Sequence, residues 1–390
     1  MGSRSRKGSF RGMKIYRRAI LPKGFKANAL ACGIKKSGKL DLALFYSSIA
    51  AKASCKFTSN KIQAAPIQVN RFHLRDNNTF RAVIVNSGNA NCFCGRQGLK
   101  DAREVAGSLA RSLGIRKKEV LMASTGIIGR RLPVKKIQQA LPKLIGGLSL
   151  QGVDKAKRAI LTTDTFFKTL TAQVSIGGRK VTICGMTKGA GMIAPDMATM
   201  LTFLFTDAHI LNGALNRALE ICVEQTFNCI TVDGCMSTND SIVMLANGSA
   251  GNALIEAGEN FNLFVRSLEV VCLELAKMIV KDAEGASKFI QIKVDQARNF
   301  QEAKKLALAI ANSSLFKTAV FGQNPNFGRI VAALGSCSVE LKEEDLKVKV
   351  SPLQKKEIFV RVSVNRGRSS AVVYTSDLTP EYIRINAAYN

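Results

Sequence analysis

The sequence predicts an α/β fold of the mixed αβ kind. Three observations carry this. Strand-like and helix-like segments alternate along the chain. The apolar fraction is 46%, a globular composition rather than a disordered one. A chain of 390 residues can bury a sizeable core and spans more than one typical domain.

The elements follow in order. Leu42–Ser48 and Ala82–Asn86 are short apolar runs rich in strand-favouring residues. Residues 97–113 repeat apolar positions at helical spacing, and Gly114 stands just beyond as a stop. Residues 134–145 predict a helix interrupted by Pro142. AQVSIGGRKVTICGM (172–186) predicts a hairpin turning at Gly177-Gly178. Residues 211–226 and 262–280 predict helices, and a further helix is expected over 295–312. The last third reads as strands at 348–350, 357–364 and 370–375. No internal repeat and no low-complexity linker marks a sharp domain boundary.

Composition narrows the function. The 57 Lys and Arg against 28 Asp and Glu give +29, and the first forty residues hold twelve cations and no acid. Such a field attracts anions, including nucleic acid and acidic small molecules. Aromatic residues are scarce and no RNA-recognition or zinc-knuckle pattern occurs, so no specific nucleic-acid partner is expected. No run of eighteen apolar residues occurs; the longest candidate, 241–255, is broken by Asn247, Gly248, Ser249, Gly251 and Asn252, and no membrane association is expected. The ten cysteines contain one C-x-C (Cys92, Cys94) and no CxxC, and His73 and His209 are the only histidines. Zinc-type spacing is therefore absent, no metal is expected, and buried free thiols in a reducing, cytoplasmic setting account for the cysteines. Residues 1–12 are basic and Ser-rich but lack a signal-peptide apolar core, which argues against secretion and leaves organelle targeting open.

One stretch bears most on function: KGAGMIAPDMATMLTFLF, residues 188–205. Gly189 to Ala194 formally fits G-x-G-x-x-[GA], but a dinucleotide site needs a helix start there, whereas Pro195 and a β-branched, aromatic run follow. A structural reading takes the glycines as a tight turn and Thr199 as the start of a buried strand. A chemical reading begins from the shortage of imidazole, since His73 and His209 fall in loop-like contexts and suit packing better than catalysis. An acyl-transfer enzyme without histidine can cut its own chain before a hydroxyl residue and use the freed α-amine as base. That amine titrates near pH 7.7–8.0 in reference peptides, so it is partly neutral at physiological pH. Ala198-Thr199 suits such a cut.

The same segment resembles the self-cleavage site of the ornithine acetyltransferase (glutamate N-acetyltransferase) family of arginine biosynthesis. The resemblance covers nearly the whole chain: LPKGFKANALACGIKKSGKLDLAL, VIVNSGNANCFCG, MASTGIIGRRLP, ILTTDTFFK, DAEGASKF, NPNFGRI and YIRINAAY stand in family order. It implies two αβ lobes with mixed sheets sandwiched by helices. It implies autoproteolysis at Ala198-Thr199 into chain 1–198 (N-terminal lobe, with the oxyanion residues and part of the substrate site) and chain 199–390, assembled as an α2β2 heterotetramer. Thr199 becomes nucleophile and, through its new amine, general base. Thr125 and Gly126 match the oxyanion pair. Thr162, Lys188, Thr199, Glu284 and Asn386 match the substrate-binding positions. An acetyl group passes from N-acetylornithine to glutamate, giving ornithine and N-acetylglutamate in a ping-pong cycle. No cofactor is needed for that exchange, and acetyl-CoA is an optional second donor.

Some positions depart from the pattern. Cys235-Met236 stand where the family has Asp-Thr, Asp196 where it has Asn, and Phe327 where it has Trp. The family's contact beyond the Asn-x-x-Tyr tail is unassigned, because the sequence ends at Asn390. Function does not explain the +29 charge. Two other readings stay open: an amidohydrolase or aminopeptidase on a similar self-cleaving scaffold, and a basic nucleic-acid-binding protein whose chemistry has decayed.

Overall fold

The computed structural model describes residues 12–75, 77–194 and 200–388. The elements are, in order, β1 (Met13–Tyr16), β2 (Phe25–Leu30), β3 (Leu42–Phe57), α1 (Ala65–Arg75), β4 (Phe80–Asn89), α2 (Gly95–Leu113), β5 (Val120–Ile127), α3 (Val134–Gly146), α4 (Val153–Ala159), β6 (Lys168–Ile176), β7 (Arg179–Lys188), β8 (Leu201–Thr206), α5 (Asn212–Gln225), β9 (Ser241–Ala246) and α6 (Gly258–Lys281). They continue with β10 (Phe289–Ala297), α7 (Phe300–Ala311), α8 (Ser314–Phe321), α9 (Gly328–Gly335), β11 (Lys347–Val350), β12 (Glu357–Ser363), β13 (Ser369–Ser376) and α10 (Pro380–Ala387).

A nine-stranded sheet runs β1-β6-β7-β8-β9-β3-β4-β5, with β2 also paired to β3. It is mixed: β4–β5 and β8–β9 are parallel, and the remaining pairs are antiparallel. Strand β3 joins its two halves. Leu42–Tyr46 pair with β4, Lys52–Phe57 pair with β9, and the register shifts between Tyr46 and Ala51. The halves pack face to face, and alternation of side chains fixes the layers. Phe203 and Phe205 of β8 meet Phe45 of β3 in the space between the halves. Leu204 points instead into the layer that carries α5 and α6, while Leu42 and Leu44 point into the layer that carries α1, α2 and α3. The result is a helix–sheet–sheet–helix sandwich. Ring centroids stand 5.4 Å apart for Phe45–Phe203 and 4.9 Å for Phe45–Phe205. Truncating such a buried ring costs about 3–5 kcal/mol.

The second lobe is a four-stranded sheet, β11-β12-β10-β13, covered by α7, α8 and α9 around its own core. Two mixed sheets with helical cover match the expectation. The boundary between residues 198 and 199 falls between β7 and β8, which are adjacent antiparallel strands of the large sheet. No helix among the described residues is long and apolar enough to cross a membrane.

The hairpin at Gly177-Gly178 forms as expected, with φ of 56° and 74°, a backbone that glycine adopts without strain. Helix α2 ends at Gly114 in the left-handed conformation. Three expectations change. Asp295–Ala297 belong to β10, and the helix starts only at Phe300, because the Asn299 side chain caps it by accepting the Glu302 N–H. Pro142 lies inside a continuous α3, where it removes one backbone donor without ending the helix. His73 is not in a loop. It is buried in α1 with its Nδ1 2.8 Å from the Val120 carbonyl oxygen, a packing role.

Candidate active site

The site forms where the C-terminal ends of β4, β5 and β7 meet the loop after α6 and the last helix. Gly126 must approach β4 closely: a Cβ there would lie 2.5 Å from the Asn89 nitrogen and 2.7 Å from the Gly88 Cα, and its φ is +133°. Glycine is therefore required, and it sets the end of β5 hard against the end of β4. Asn239 ties a third segment to this junction, its amide donating to the Ala90 carbonyl at 2.7 Å and the Ser124 carbonyl at 2.8 Å.

Glu284 follows α6. Its backbone N–H donates to the Ala190 carbonyl at 3.0 Å, and its carboxylate accepts from the Asn386 amide at 3.0 Å. Lys188 is the last residue of β7 and is buried. Burial pushes its ammonium below the usual lysine range, against the charges of Asp164, Asp240 and Glu284 that favour it. Asp164 is the organising carboxylate. It accepts from Gly189 N–H at 2.7 Å, Thr162 N–H at 3.1 Å and Lys168 Nζ at 2.5 Å. Burial alone would raise this carboxyl, but Lys188, Lys168 and these hydrogen bonds hold it down at about 2. Lys168 also pairs with Asp282, which in turn accepts from Thr165.

Thr125, Gly126, Thr162, Lys188, Glu284 and Asn386 all line one cavity of about 120 Å³. The structure thus brings together six of the residues the sequence singled out. Thr199 and Ala198 lie outside the described residues, as does Asp196. The chain is held on both sides of them. On the N-terminal side, Asp233 accepts Met192 N–H at 2.6 Å and Ile193 N–H at 2.8 Å, and the Ile193 carbonyl accepts Val232 N–H at 2.9 Å. On the C-terminal side, Met200 N–H donates to buried Asp240 at 3.0 Å. Burial drives the Asp240 carboxyl well above the usual carboxylate range despite that bond and the Lys188 charge. Among the described residues Gly189–Ala194 are followed next by Met200 and strand β8 rather than by a helix that could receive a pyrophosphate.

A sequence profile described as the ArgJ family matches residues 26–390. The chain belongs to the ArgJ family. Among ArgJ relatives, the arginine biosynthesis bifunctional protein ArgJ of Geobacter sulfurreducens is 43% identical over 389 residues, covering 94% of this chain and 99% of that protein. The protein of that name from Dehalococcoides mccartyi is also 43% identical, covering 94% and 96%. Of solved structures, the Mycobacterium tuberculosis ornithine acetyltransferase complexed with ornithine is 36% identical over 47% of this chain and 98% of that chain, with a TM-score of 0.44.

The ArgJ motifs did not point to every residue at the cavity. Ser237 and Asn239 line it beside Met192, whose φ is +57°. Asp233, Asp164 and Asp240 support it from behind. The available signals were VDGCMSTND and TTDT, whose carboxylates Asp233, Asp240 and Asp164 accept backbone N–H groups of Met192, Ile193, Met200 and Gly189. Cys235, Met236 and Phe327, which depart from the ArgJ pattern, do not line the cavity.

Proposed function

We propose that this ArgJ-family chain is a glutamate N-acetyltransferase that moves the acetyl group of N-acetylornithine to glutamate through an acetyl ester on Thr199. The observation that carries this is the single cavity shared by Thr125, Gly126, Thr162, Lys188, Glu284 and Asn386. Its volume of about 120 Å³ is well below the roughly 300–1,000 Å³ of sites for drug-sized ligands and suits one amino acid.

The chemistry starts with the chain itself. The Thr199 hydroxyl attacks the Ala198 carbonyl, the C–N bond breaks as the acyl group shifts to oxygen and frees the Thr199 α-amine, and water hydrolyses the ester to give the Ala198 carboxylate and the free Thr199 hydroxyl. In the working enzyme that amine takes the hydroxyl proton while the oxygen attacks the acetyl carbonyl of N-acetylornithine. Thr125 hydroxyl and Gly126 N–H hold the tetrahedral oxyanion, each such donor being worth about 3–4 kcal/mol. The C–N bond breaks, ornithine leaves with the proton from the Thr199 ammonium, and the glutamate amine attacks the ester in the reverse sense. Lys188 suits a substrate carboxylate and Glu284 the ornithine ammonium. Donor and product are both amides, so the exchange needs no cofactor to drive it; acetyl-CoA is a second donor to be tested.

The two products of cleavage would stay together, because β7 and β8 pair from Ile183–Thr206 to Lys188–Leu201 on either side of the cut. We expect two such heterodimers to form an α2β2 assembly. All ten cysteines are free, which favours a reducing, cytoplasmic setting. The test is product analysis with N-acetylornithine and glutamate. The proposal expects ornithine and N-acetylglutamate in equal amounts. Acetate in place of N-acetylglutamate would make the protein an amidohydrolase.

A further inference from the structure

Lys317 is a costly residue for the fold. It stands in the first half of α8, in the second lobe, and is only 4% exposed. A buried ammonium gives up its hydration, and a methionine of similar length would pack there without that loss. Burial pushes the Lys317 ammonium down to about 8, against the charges of Asp233 and Asp377 that favour it. Its Nζ donates to the Val232 carbonyl oxygen and lies 3.4 Å from the Thr375 hydroxyl. These groups lie behind the acetyl-transfer cavity and do not line it.

Val232 belongs to a strap, residues 230–234, that ties the two lobes together. Ile230 bridges to Tyr374 of β13, and Thr231 N–H donates to the Tyr374 carbonyl at 3.0 Å. Gly234 turns the strap with a φ of +70°, and the N–H groups of Val232, Asp233 and Gly234 converge on the Ile193 carbonyl at 2.9, 3.3 and 3.2 Å. The Val232 carbonyl and the Asp233 N–H are one peptide unit. A cation at that carbonyl polarises the unit and strengthens its N–H as a donor to Ile193. The Asp233 carboxylate holds the same segment from the other side, through Met192 and Ile193 N–H, and also accepts the Tyr382 hydroxyl at 3.1 Å. Met192 lines the cavity. The second carboxylate, Asp377, accepts the N–H groups of Ser287 and Lys288, each at 2.9 Å, and so fixes the loop that carries Glu284. One buried ammonium thus acts on the supports of two cavity walls.

We propose that Lys317 is a positioning residue of the acetyl-transfer site: from the second lobe, and without touching substrate, it locks the strap beneath Met192–Ile193 and, through Asp377, the loop that carries Glu284. Only the effect on rate rests on the acetyl-transfer reading, since the lock itself is measured without catalysis.

The experiment compares wild type with Lys317→Met, which keeps the reach of the side chain and removes its charge and donor. Backbone hydrogen exchange at pH 7 is followed over 189–194 and 284–288, with β6 as the control and a thermal melt alongside. The proposal expects exchange at least tenfold faster at both walls, unchanged exchange in β6 and a melting temperature within a few degrees of wild type. Per cleaved chain, kcat/KM for N-acetylornithine should fall at least tenfold. Wild type supplies a second test. Between pH 7 and pH 9 an ammonium titrating near 8 loses most of its charge. Asp233 and Asp377 face it, and the Cys235 thiol and Tyr382 hydroxyl beside Asp233, both pushed up by burial, keep their protons longer than it does. Protection of both walls, corrected for intrinsic exchange, should therefore drop over that range while β6 holds. If exchange in the variant rises in β6 as well, the wild-type pH comparison decides. Walls as protected in the variant as in wild type, protection unchanged between pH 7 and pH 9, or an unaltered kcat/KM overturns the proposal. Walls that loosen as expected in a wild type that transfers no acetyl group would refute the reading of the reaction and leave the lock standing.

Discussion

Replacing Gly191 by Ala tests whether Glu284 belongs to the substrate site. The new Cβ would lie 2.5 Å from the Glu284 Cδ, where ordinary contact begins at 3.4 Å. The carboxylate must therefore retreat by at least about 0.9 Å, more at the still nearer Oε2, and the 3.0 Å bond of that oxygen to Asn386 breaks or swings with it. The fold should tolerate this: Gly191 does not have a left-handed φ, and the obstructing atoms are the far end of a flexible side chain. Catalysis should not, since a misplacement of about 1 Å at a positioning group can cost up to about a hundredfold. We expect kcat/KM for N-acetylornithine to fall ten- to a hundredfold, about 1.4–2.7 kcal/mol of transition-state binding, with the melting temperature nearly unchanged. The assay is steady-state ornithine release at varied N-acetylornithine, alongside a thermal melt. A kcat/KM within twofold of wild type would refute the placement of Glu284 at the substrate.

Three further predictions concern the oxyanion donor, the pinned segment and acid stability. Thr125→Ala should lower kcat about a hundred- to a thousandfold, measured in the same assay, with the cleavage state checked on a gel. Asp233→Ala removes the acceptor of two backbone N–H bonds, each worth about 1.5–3 kcal/mol when charged; uncut precursor should persist at least tenfold longer in a time course. Asp164 titrates at about 2 against an ordinary 3.8, so it contributes about 2 kcal/mol of stability. Because its folded pKa is lowered, that contribution is complete above about pH 5 and is lost as pH falls through 4 towards 2. Lys188 has the opposite slope, since its lowered pKa makes its charge a cost that alkali relieves. Asp240, whose carboxyl is held above the usual range, gains stability as pH falls and so opposes Asp164, which the comparison with Asp164→Asn isolates. Urea melts at pH 3 and pH 6 should differ by less in Asp164→Asn than in wild type.

Local signals in the sequence were the reliable ones. The hairpin at Gly177-Gly178 and the end of α2 at Gly114 depend on backbone conformations that glycine adopts readily, and both formed as read. The interior of α3 and the start of α7 were misread for one reason: Pro142 and Asn299 act through single backbone hydrogen bonds that only packing decides. The site was legible as motifs but not as geometry. Thr125, Lys188, Glu284 and Asn386 meet only because β3 bends the large sheet over and α10 returns to the loop after α6. The supporting carboxylates Asp164, Asp233 and Asp240 escaped notice because each binds main-chain N–H groups, which leave no pattern of residue types.

The central claim is that Thr199 becomes a chain terminus, and N-terminal sequencing with intact mass on freshly purified protein tests it most directly. The account predicts two chains, one of them beginning TMLTF, in equal amounts. A single chain of 42.2 kDa that transfers acetyl groups at full rate would contradict it.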